Sequence, residues 1–476
     1  MGSMKSRFLC AAILLSVSAA PTAWAQWSAD PSANLPLADK VDGNDQVQPK
    51  VKPLPGGGWY VSWFDADPTS PPPVGYDVYL QRLDPDGVEQ LPHDGVQVAH
   101  LSNSSTEDYG LDIDIGGHAL LAFLDTREGP TQQVTAARIG RTGKPLWGDR
   151  GVQLTRDASF HAAPKIAGTS DGDVVVAWTS DSNVVVQRLD GNGKPKWGAG
   201  IVFSESEYQY SLADLHASDN GSVIISWVRA QGFLGNKQLR ANKIAADGTL
   251  LWGSQNVTIF DQGSLQFGNF PYFVPDGNGG AVFAWYTSIP ALQCFAQHIR
   301  ADGSEAFPHN GSAVSTNTTN VRVSPSASYR AATDETFVFW TEADSLQVRN
   351  GVYAQKFDGT GTRRWGTIGT KVVPLGSDQE IFVTSVQVGD GALVFWVDQA
   401  DFGSATIQAV RFDRAANEVC PQFAVSSFPA DKARLAADIT SARLAAVAFE
   451  DDRSGNNAIY IQNVNHDCTL GPRTRP

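Results

Sequence analysis

Eight aromatic residues recur along this chain at a nearly constant interval. They are Trp63, Phe123, Trp178, Trp227, Trp285, Trp340, Trp396 and Phe449, and successive members lie 49 to 60 residues apart. Each closes a short apolar run such as Thr336–Trp340, and each run is followed by a polar turn. A period in the fifties, sustained over nearly the whole chain, is the mark of a repeat architecture in which one supersecondary unit stacks on the next.

A second marker keeps the same interval. The strand after each aromatic tends to end in Gln, a basic residue and an apolar one, followed by a Gly-bearing turn. Gln81, Arg82 and Leu83 precede Gly87; Gln187, Arg188 and Leu189 precede Gly193; Gln297, His298 and Ile299 precede Gly303; Gln355, Lys356 and Phe357 precede Gly361. Asn242, Lys243 and Ile244 before Gly248 are a variant, and Arg138 with Ile139 and Arg411 with Phe412 are weaker copies. A third marker is the Trp-Gly pair at Trp147, Trp197, Trp252 and Trp365, read as the entry to a fourth strand.

The clearest unit is Ser324–Val373. It reads as four strands: Ser326–Ala331, Thr336–Trp340, Gly351–Phe357 and Lys371–Val373. Apolar and polar residues alternate or run briefly, with Gly, Asp and Asn at the bounds. The 45 glycines suit many tight hairpins, whose turns need positive φ. Beyond the N-terminal segment no stretch carries helical periodicity. The expectation is an all-β chain, a β-propeller of four antiparallel strands per blade. Eight units favour eight blades, with seven open if one unit is degenerate. The first unit is the least regular, with a proline-rich insertion at Pro68–Pro73.

Ring closure is legible as well. The eighth unit ends close to the C-terminus, whereas Gln26, Trp27 and the run Leu35–Ala38 have no unit of their own and resemble the fourth-strand entry at Leu146, Trp147 and Gly148. The N-terminal strand is therefore expected to complete the eighth blade. With its Trp-Gly entries and Gln-basic-apolar third strands, the sequence resembles secreted bacterial β-propeller repeat proteins. That resemblance implies architecture and little about activity, because one fold hosts many functions.

The segment before this ring reads as a signal peptide, 1–25: Lys5 and Arg7, an apolar run Phe8–Val17, and a small-x-small site ending at Ala25. Residues 26–476 are expected to form a single propeller domain, secreted or periplasmic. Losing Lys5 and Arg7 takes the formal charge from −14 to −16. With no basic stripe, that balance argues against nucleic acid as a partner. No later apolar run is long enough to span a membrane, and a monomer is expected. Cys420 and Cys468 fall near the turn between third and fourth strands of adjacent units and are expected to form a disulfide; Cys294 reads as a buried thiol.

Chemistry is sought where units depart from the repeat, on loops held by the scaffold. The loops entering the third to fifth units carry His161, Tyr208, Tyr210, Phe267, Phe270 and Tyr272, and Arg229 ends a neighbouring strand. A His or Tyr base, a Tyr acid and an Arg against a carboxylate are the parts of β-elimination on a uronate polysaccharide. His161, Tyr208, Tyr210 and Arg229 are thus the candidate catalytic residues. Asp125, Arg127, Phe270 and Tyr272 are candidate binding residues, since aromatic rings also stack on sugars without chemistry. His93, His118, His216, His298 and His309 read as solvated or structural. Acids stand two residues past the aromatic at Asp65, Asp125, Glu342, Asp398 and Asp451. They serve as turn caps paired to nearby arginines, or as a ring of oxygen ligands for Ca2+. No other cofactor or metal is indicated. The expected function is an exported binding module for an extracellular glycan or protein. The alternatives are a uronate lyase or glycoside hydrolase, and a structural cell-surface protein.

Overall fold

The computed structural model describes residues 26–40, 43–67, 75–103, 108–127, 131–232 and 234–474. The signal-like segment and the Pro68–Pro73 insertion lie outside them. Eight antiparallel sheets stand in a ring, seven with four strands and one with five. This is the eight-bladed propeller. In the sixth blade the strands are Val321–Arg330, Glu335–Ala343, Asn350–Phe357 and Thr370–Gly376, ordered from the axis outward.

The eight recurring aromatics are all buried, and Trp63, Trp227, Trp285, Trp340 and Trp396 are fully so. A Trp or Phe removes roughly 150–250 Å² from water, on the order of 4–6 kcal/mol each at about 25 cal/mol per Å². They fill the clefts between neighbouring blades, which is why the interval persists.

The other two markers hold each blade to the next. In the third blade, Gln187 accepts from the backbone N–H groups of Arg188 (2.9 Å) and Trp197 (3.0 Å) and donates to the Gly198 carbonyl (3.0 Å). Gln355 repeats this with Lys356, Trp365 and Gly366. The Gln therefore fixes the loop that carries the Trp. The indole in turn reaches the following blade: Trp147 donates to the Gly191 carbonyl, Trp197 to Ala246, Trp252 to Ala301 and Trp365 to Arg414, at 3.0 to 3.2 Å. The basic residue after Gln pairs with an acid of the hairpin between first and second strands, as in Arg188 with Asp173 (2.7 Å) and Lys356 with Glu335 (2.8 Å).

Closure follows the sequence expectation. Leu35–Ala38 pairs antiparallel with Ala458–Val464 as the outermost strand of the eighth blade. Cys420 and Cys468 form a disulfide with Cα atoms 6.3 Å apart. Cys420 lies within the fourth strand Glu418–Ala430, not on the turn before it. Cys294 is a buried free thiol. Among the described residues no helix is long and apolar enough to cross a membrane.

The fifth blade breaks the pattern at the axis. Its innermost strand is split into Ser264–Leu265 and Phe273–Pro275. Between them Gly268 at φ +76°, Asn269 and Pro271 turn the chain, which holds Phe267, Phe270 and Tyr272 out of the ladder.

Candidate functional site

The innermost strands surround a cavity of about 710 Å³ on the ring axis, lined by Lys50, Asp108, Lys165, His216, Tyr272 and Ser326 among others. Each such strand alternates side chains between the blade interface and the axis. In five blades the alternation is reset by a bulge that holds a residue at positive φ, and in the fourth the register shifts between Leu212 and Asp214. The register shifts between Val47 and Lys50, Ala162 and Lys165, Val323 and Ser326, Ile381 and Thr384, and Ala433 and Ala436. Gln48, Ala163, Ser324, Phe382 and Arg434 sit at positive φ inside these bulges. Such a conformation is costly for a residue with a Cβ and persists only where surrounding pairing enforces it. Directly after it, Lys50, Lys165 and Ser326 line the cavity.

One wall is a charged network contributed by five blades. Asp108 pairs with Lys50 at 2.7 Å and with Lys165, and Tyr272 donates its hydroxyl to Asp108 Oδ2 at 3.1 Å. Lys165 Nζ lies 4.9 Å from the Tyr272 ring centroid, and Lys50 Nζ lies 5.1 Å from that of Tyr109. Enclosure disfavours the Asp108 charge, yet Lys165 and Lys50 outweigh it and hold the carboxyl far below its ordinary range. For Lys165 the balance also favours charge, because Asp108 outweighs the enclosure. For Lys50 enclosure wins and pushes the ammonium down. On Tyr272 the Lys165 charge pulls downward, but Asp108 and the enclosure together push the phenol up. Beside them His216 Nε2 meets Asp214 Oδ2 at 2.9 Å, and Asp214 also accepts from the Phe273 N–H at 3.1 Å. Burial disfavours the Asp214 charge, but His216 and Lys165 outweigh it and keep it ionised.

Lower in the cavity Lys52 stands 3.6 Å from Asp112. Burial raises the Asp438 carboxyl despite the opposing charge of Lys52. The opposite wall carries Arg434, paired with Glu450, and the Ser326 and Ser385 hydroxyls 3.1 Å apart.

The residues singled out by sequence fall in four places. Phe270 and Tyr272 line the cavity, with 46% and 61% of their surface exposed. Tyr208, Tyr210 and Arg229 come together around Glu205, between the third and fourth blades. Arg229 spans both Glu205 oxygens at 2.5 and 2.6 Å, Tyr210 donates to Oε2 at 2.8 Å, and the guanidinium lies 3.3 Å over the Tyr208 ring. Arg229 holds the Glu205 carboxyl down to about 2. Burial and Glu205 raise the Tyr210 phenol. His161 is not part of this group. It is buried, its Nε2 meets Asp157 Oδ1 at 3.1 Å, and its Nδ1 has no partner. Asp125 is fully buried and paired with Arg127 at 2.5 Å.

Sequence reasoning passed over Lys50, Asp108, Lys165 and Asp214, and read His216 as structural. The signal available was a charged residue on alternate positions of a first strand, as in Lys50 and Lys52 or Asp214 and His216. Which face pointed to the axis depended on bulges that no residue type announces. Of the other histidines, His118 pairs with Asp114 at 2.9 Å and His298 with Asp276 at 3.0 Å. His93 and His309 are each held between two acidic side chains near the outer strands.

No protein-family model matches the sequence, and no curated protein matches it either. Among solved structures the chain is similar to prolyl oligopeptidase B from Galerina marginata, at 12% identity and a TM-score of 0.45 over 87% of this chain and 56% of that one. It thus spans little more than half of that protein. It is similar to polysaccharide lyase Uly1 at 10% identity and a TM-score of 0.44, covering 89% and 90% of the two chains. A protein of unknown function from Dyadobacter fermentans shares 11% identity at a TM-score of 0.41, over 93% and 99%. These are likenesses of overall shape, and no residue of the site is drawn from them.

Proposed function

We propose that this protein is an exported binding module that takes an extracellular glycan into the axial cavity. The observation that carries this reading is the pair of exposed rings, Phe270 and Tyr272, on the cavity wall beside the Lys50–Asp108–Lys165 network. Sugar rings present C–H faces that stack on aromatic rings and hydroxyls that seek fixed ions and carbonyls. A cavity of about 710 Å³ falls in the range of small-ligand pockets, roughly 300–1,000 Å³. A concave axial site suits an oligosaccharide better than a flat protein surface. The Cys420–Cys468 disulfide and the signal-like N-terminus fit an oxidising compartment outside the cytoplasm.

A catalytic reading is supported by a separate observation, the His216–Asp214 pair at 2.9 Å beside Tyr272. A carboxylate-oriented imidazole is the usual form of a general base. At the Glu205 group, Arg229 would have to exchange Glu205 for a substrate carboxylate before it could act.

The test is a glycan array that includes neutral and uronate oligosaccharides, followed by calorimetry on each hit. Tyr272→Ala is expected to weaken binding about tenfold, a change near 1.4 kcal/mol. Silence across the array, or equal affinity in the variant, overturns the axial glycan site. Ultraviolet absorbance of unsaturated product on the uronate panel decides the lyase alternative, and His216→Ala should abolish it.

A further inference from the structure

The ammonium groups on the cavity wall are satisfied differently from those that hold the scaffold. In the eighth blade Lys432 and Arg453 share Asp451, at 3.0 and 2.6 Å. Their other N–H groups go to further oxygens. Lys432 donates to the Phe428 carbonyl at 2.6 Å, and Arg453 to the Ser32 carbonyl at 3.2 Å and to Asn34 Oδ1 at 3.0 Å. In the sixth blade Lys356 likewise donates to Glu335 at 2.8 Å and to the Arg414 carbonyl at 2.6 Å. In the cavity Lys50 and Lys165 also share one carboxylate, Asp108, with one ammonium on each oxygen. Among the described residues the hydrogen bonds of both lysines end there, although each ammonium carries three donors.

The nearby acids are already engaged. Asp214 accepts from His216 at 2.9 Å, from the Phe273 N–H at 3.1 Å and from the Leu215 N–H at 2.9 Å. Asp112 stands by Lys52 at 3.6 Å, and Glu450 by Arg434 at 3.3 Å. Asp438 lies toward Lys52 and is raised by burial. Asp108 itself is spent, because Tyr272 donates to the oxygen that Lys165 already holds. Two positive charges are thus set against one negative charge, in a protein whose acids outnumber its bases 50 to 36. An ammonium withdrawn from bulk water needs a countercharge and hydrogen-bond acceptors. The Lys50 side chain is 25% exposed and lines the cavity, so its open side faces the space a ligand would fill.

We propose that the glycan taken into the axial cavity is acidic, with Lys50 and Lys165 binding the carboxylate or sulfate ester of a sugar whose ring stacks on Tyr272. This rests on the axial glycan site and narrows its ligand to one charge class. Tyr272 is 61% exposed and its hydroxyl is anchored on Asp108, so the ring is held beside both ammonium groups. Lys165 Nζ lies 4.9 Å from the ring centroid. A pyranose packed on that ring carries its acidic group only a bond or two from its own ring atoms, within reach of the lysines. Apart from Asp108, the polar groups that meet here are all donors. A neutral sugar hydroxyl accepts a hydrogen bond and leaves the extra charge unbalanced, whereas an oxyanion accepts and balances it. Enclosure pushes the Lys50 ammonium down, which agrees with a cation short of a partner.

The probes are oligogalacturonates beside their methyl esters, and sulfated galactan oligosaccharides beside their desulfated forms, each pair compared by calorimetry at constant ionic strength. Within at least one pair the acidic member is expected to bind about tenfold more tightly or better, the worth of one charge-assisted hydrogen bond. Which pair responds tells carboxylate from sulfate. Lys50→Gln should erase the difference within that pair, and Lys50→Arg should keep it. The Lys165–Asp108 pair stays in place in both variants, and the comparison in wild-type protein decides by itself if a variant fails to fold. Equal affinity within both pairs, or tighter binding of the uncharged members, overturns the acidic ligand and leaves the axial glycan site standing. A preference retained in Lys50→Gln overturns the assignment to these lysines. Binding by none of these probes also overturns the acidic ligand, and the axial site falls with it only where the wider glycan array is silent too.

Discussion

The Trp27 indole donates to the carbonyl of Pro85 at 3.0 Å, so the segment leading into the closing strand clasps the turn of the first blade from the outer edge of the eighth. Its ring lies against Gly87, where a Cβ would stand 2.7 Å from the ring atoms and φ is +81°. Trp147 against Gly193 and Trp252 against Gly303 repeat the geometry inside the ring. The seam thus uses the same lock as the ordinary joints, made by residues far apart in sequence.

Trp27 is 4% exposed, so Trp27→Ala should cost about 3–5 kcal/mol. Chemical denaturation would register this as a lower midpoint. Removing residues 26–38 should go further, because it bares the edge of Ala458–Val464 to other chains, and light scattering should report aggregation. An unaltered midpoint in both variants would refute closure at this seam.

Reduction of Cys420–Cys468, which are 48 residues apart, releases a constraint on the unfolded chain worth about 2–4 kcal/mol. Thermal melts with and without reductant should differ, and Cys468→Ser should match the reduced protein. Cys294 is buried and its thiol is pushed up by burial, so it should not react with a thiol reagent until the chain unfolds.

Glu380 binds its proton more tightly folded than unfolded, with its carboxyl near 8 against an ordinary 4.5. Its contribution to stability is therefore complete below about pH 4.5 and is lost as pH rises toward 8. The wild-type Tm should fall over that interval more than the Tm of Glu380→Gln. Superimposable pH profiles would remove the case for an uncompensated acid pair with Asp398, which faces Glu380 in register.

Glu205 titrates at about 2 because Arg229 grips it, with Tyr210 adding a hydrogen bond against the opposing effect of burial. In Arg229→Gln the carboxyl should return toward its ordinary 4.5. Carboxyl NMR titration would read this directly. Tyr208 should become more mobile at the same time, since its ring packs under the guanidinium at 3.3 Å.

Much of the ring was legible because its marks are local and repeated. Trp340, Gln355 and Trp365 do the same work as Trp178, Gln187 and Trp197, and repetition makes such work visible in a string of letters. The orphan Trp27 could be matched to Trp147 for the same reason. The candidate site was only partly legible. Tyr272 and Phe270 stood out as departures from the repeat, while Lys50 and Lys165 looked like ordinary strand residues. Arg229 drew attention as an arginine that could face a substrate carboxylate, but Glu205, which satisfies it, lies 24 residues earlier in the chain.

The sequence by itself determined the repeat and its four strands per unit, and pointed to eight blades, the seam and the disulfide, because hydrophobic period and turn chemistry act over a few residues. Only the tertiary structure decided which charges share a space. Bulges at Gln48 and Ala163 turn Lys50 and Lys165 toward one axis, where Asp108 from a third blade meets both. Register across the seventh blade sets Glu380 against Asp398. Coulomb energy depends on distance and surroundings, and neither is a function of sequence separation.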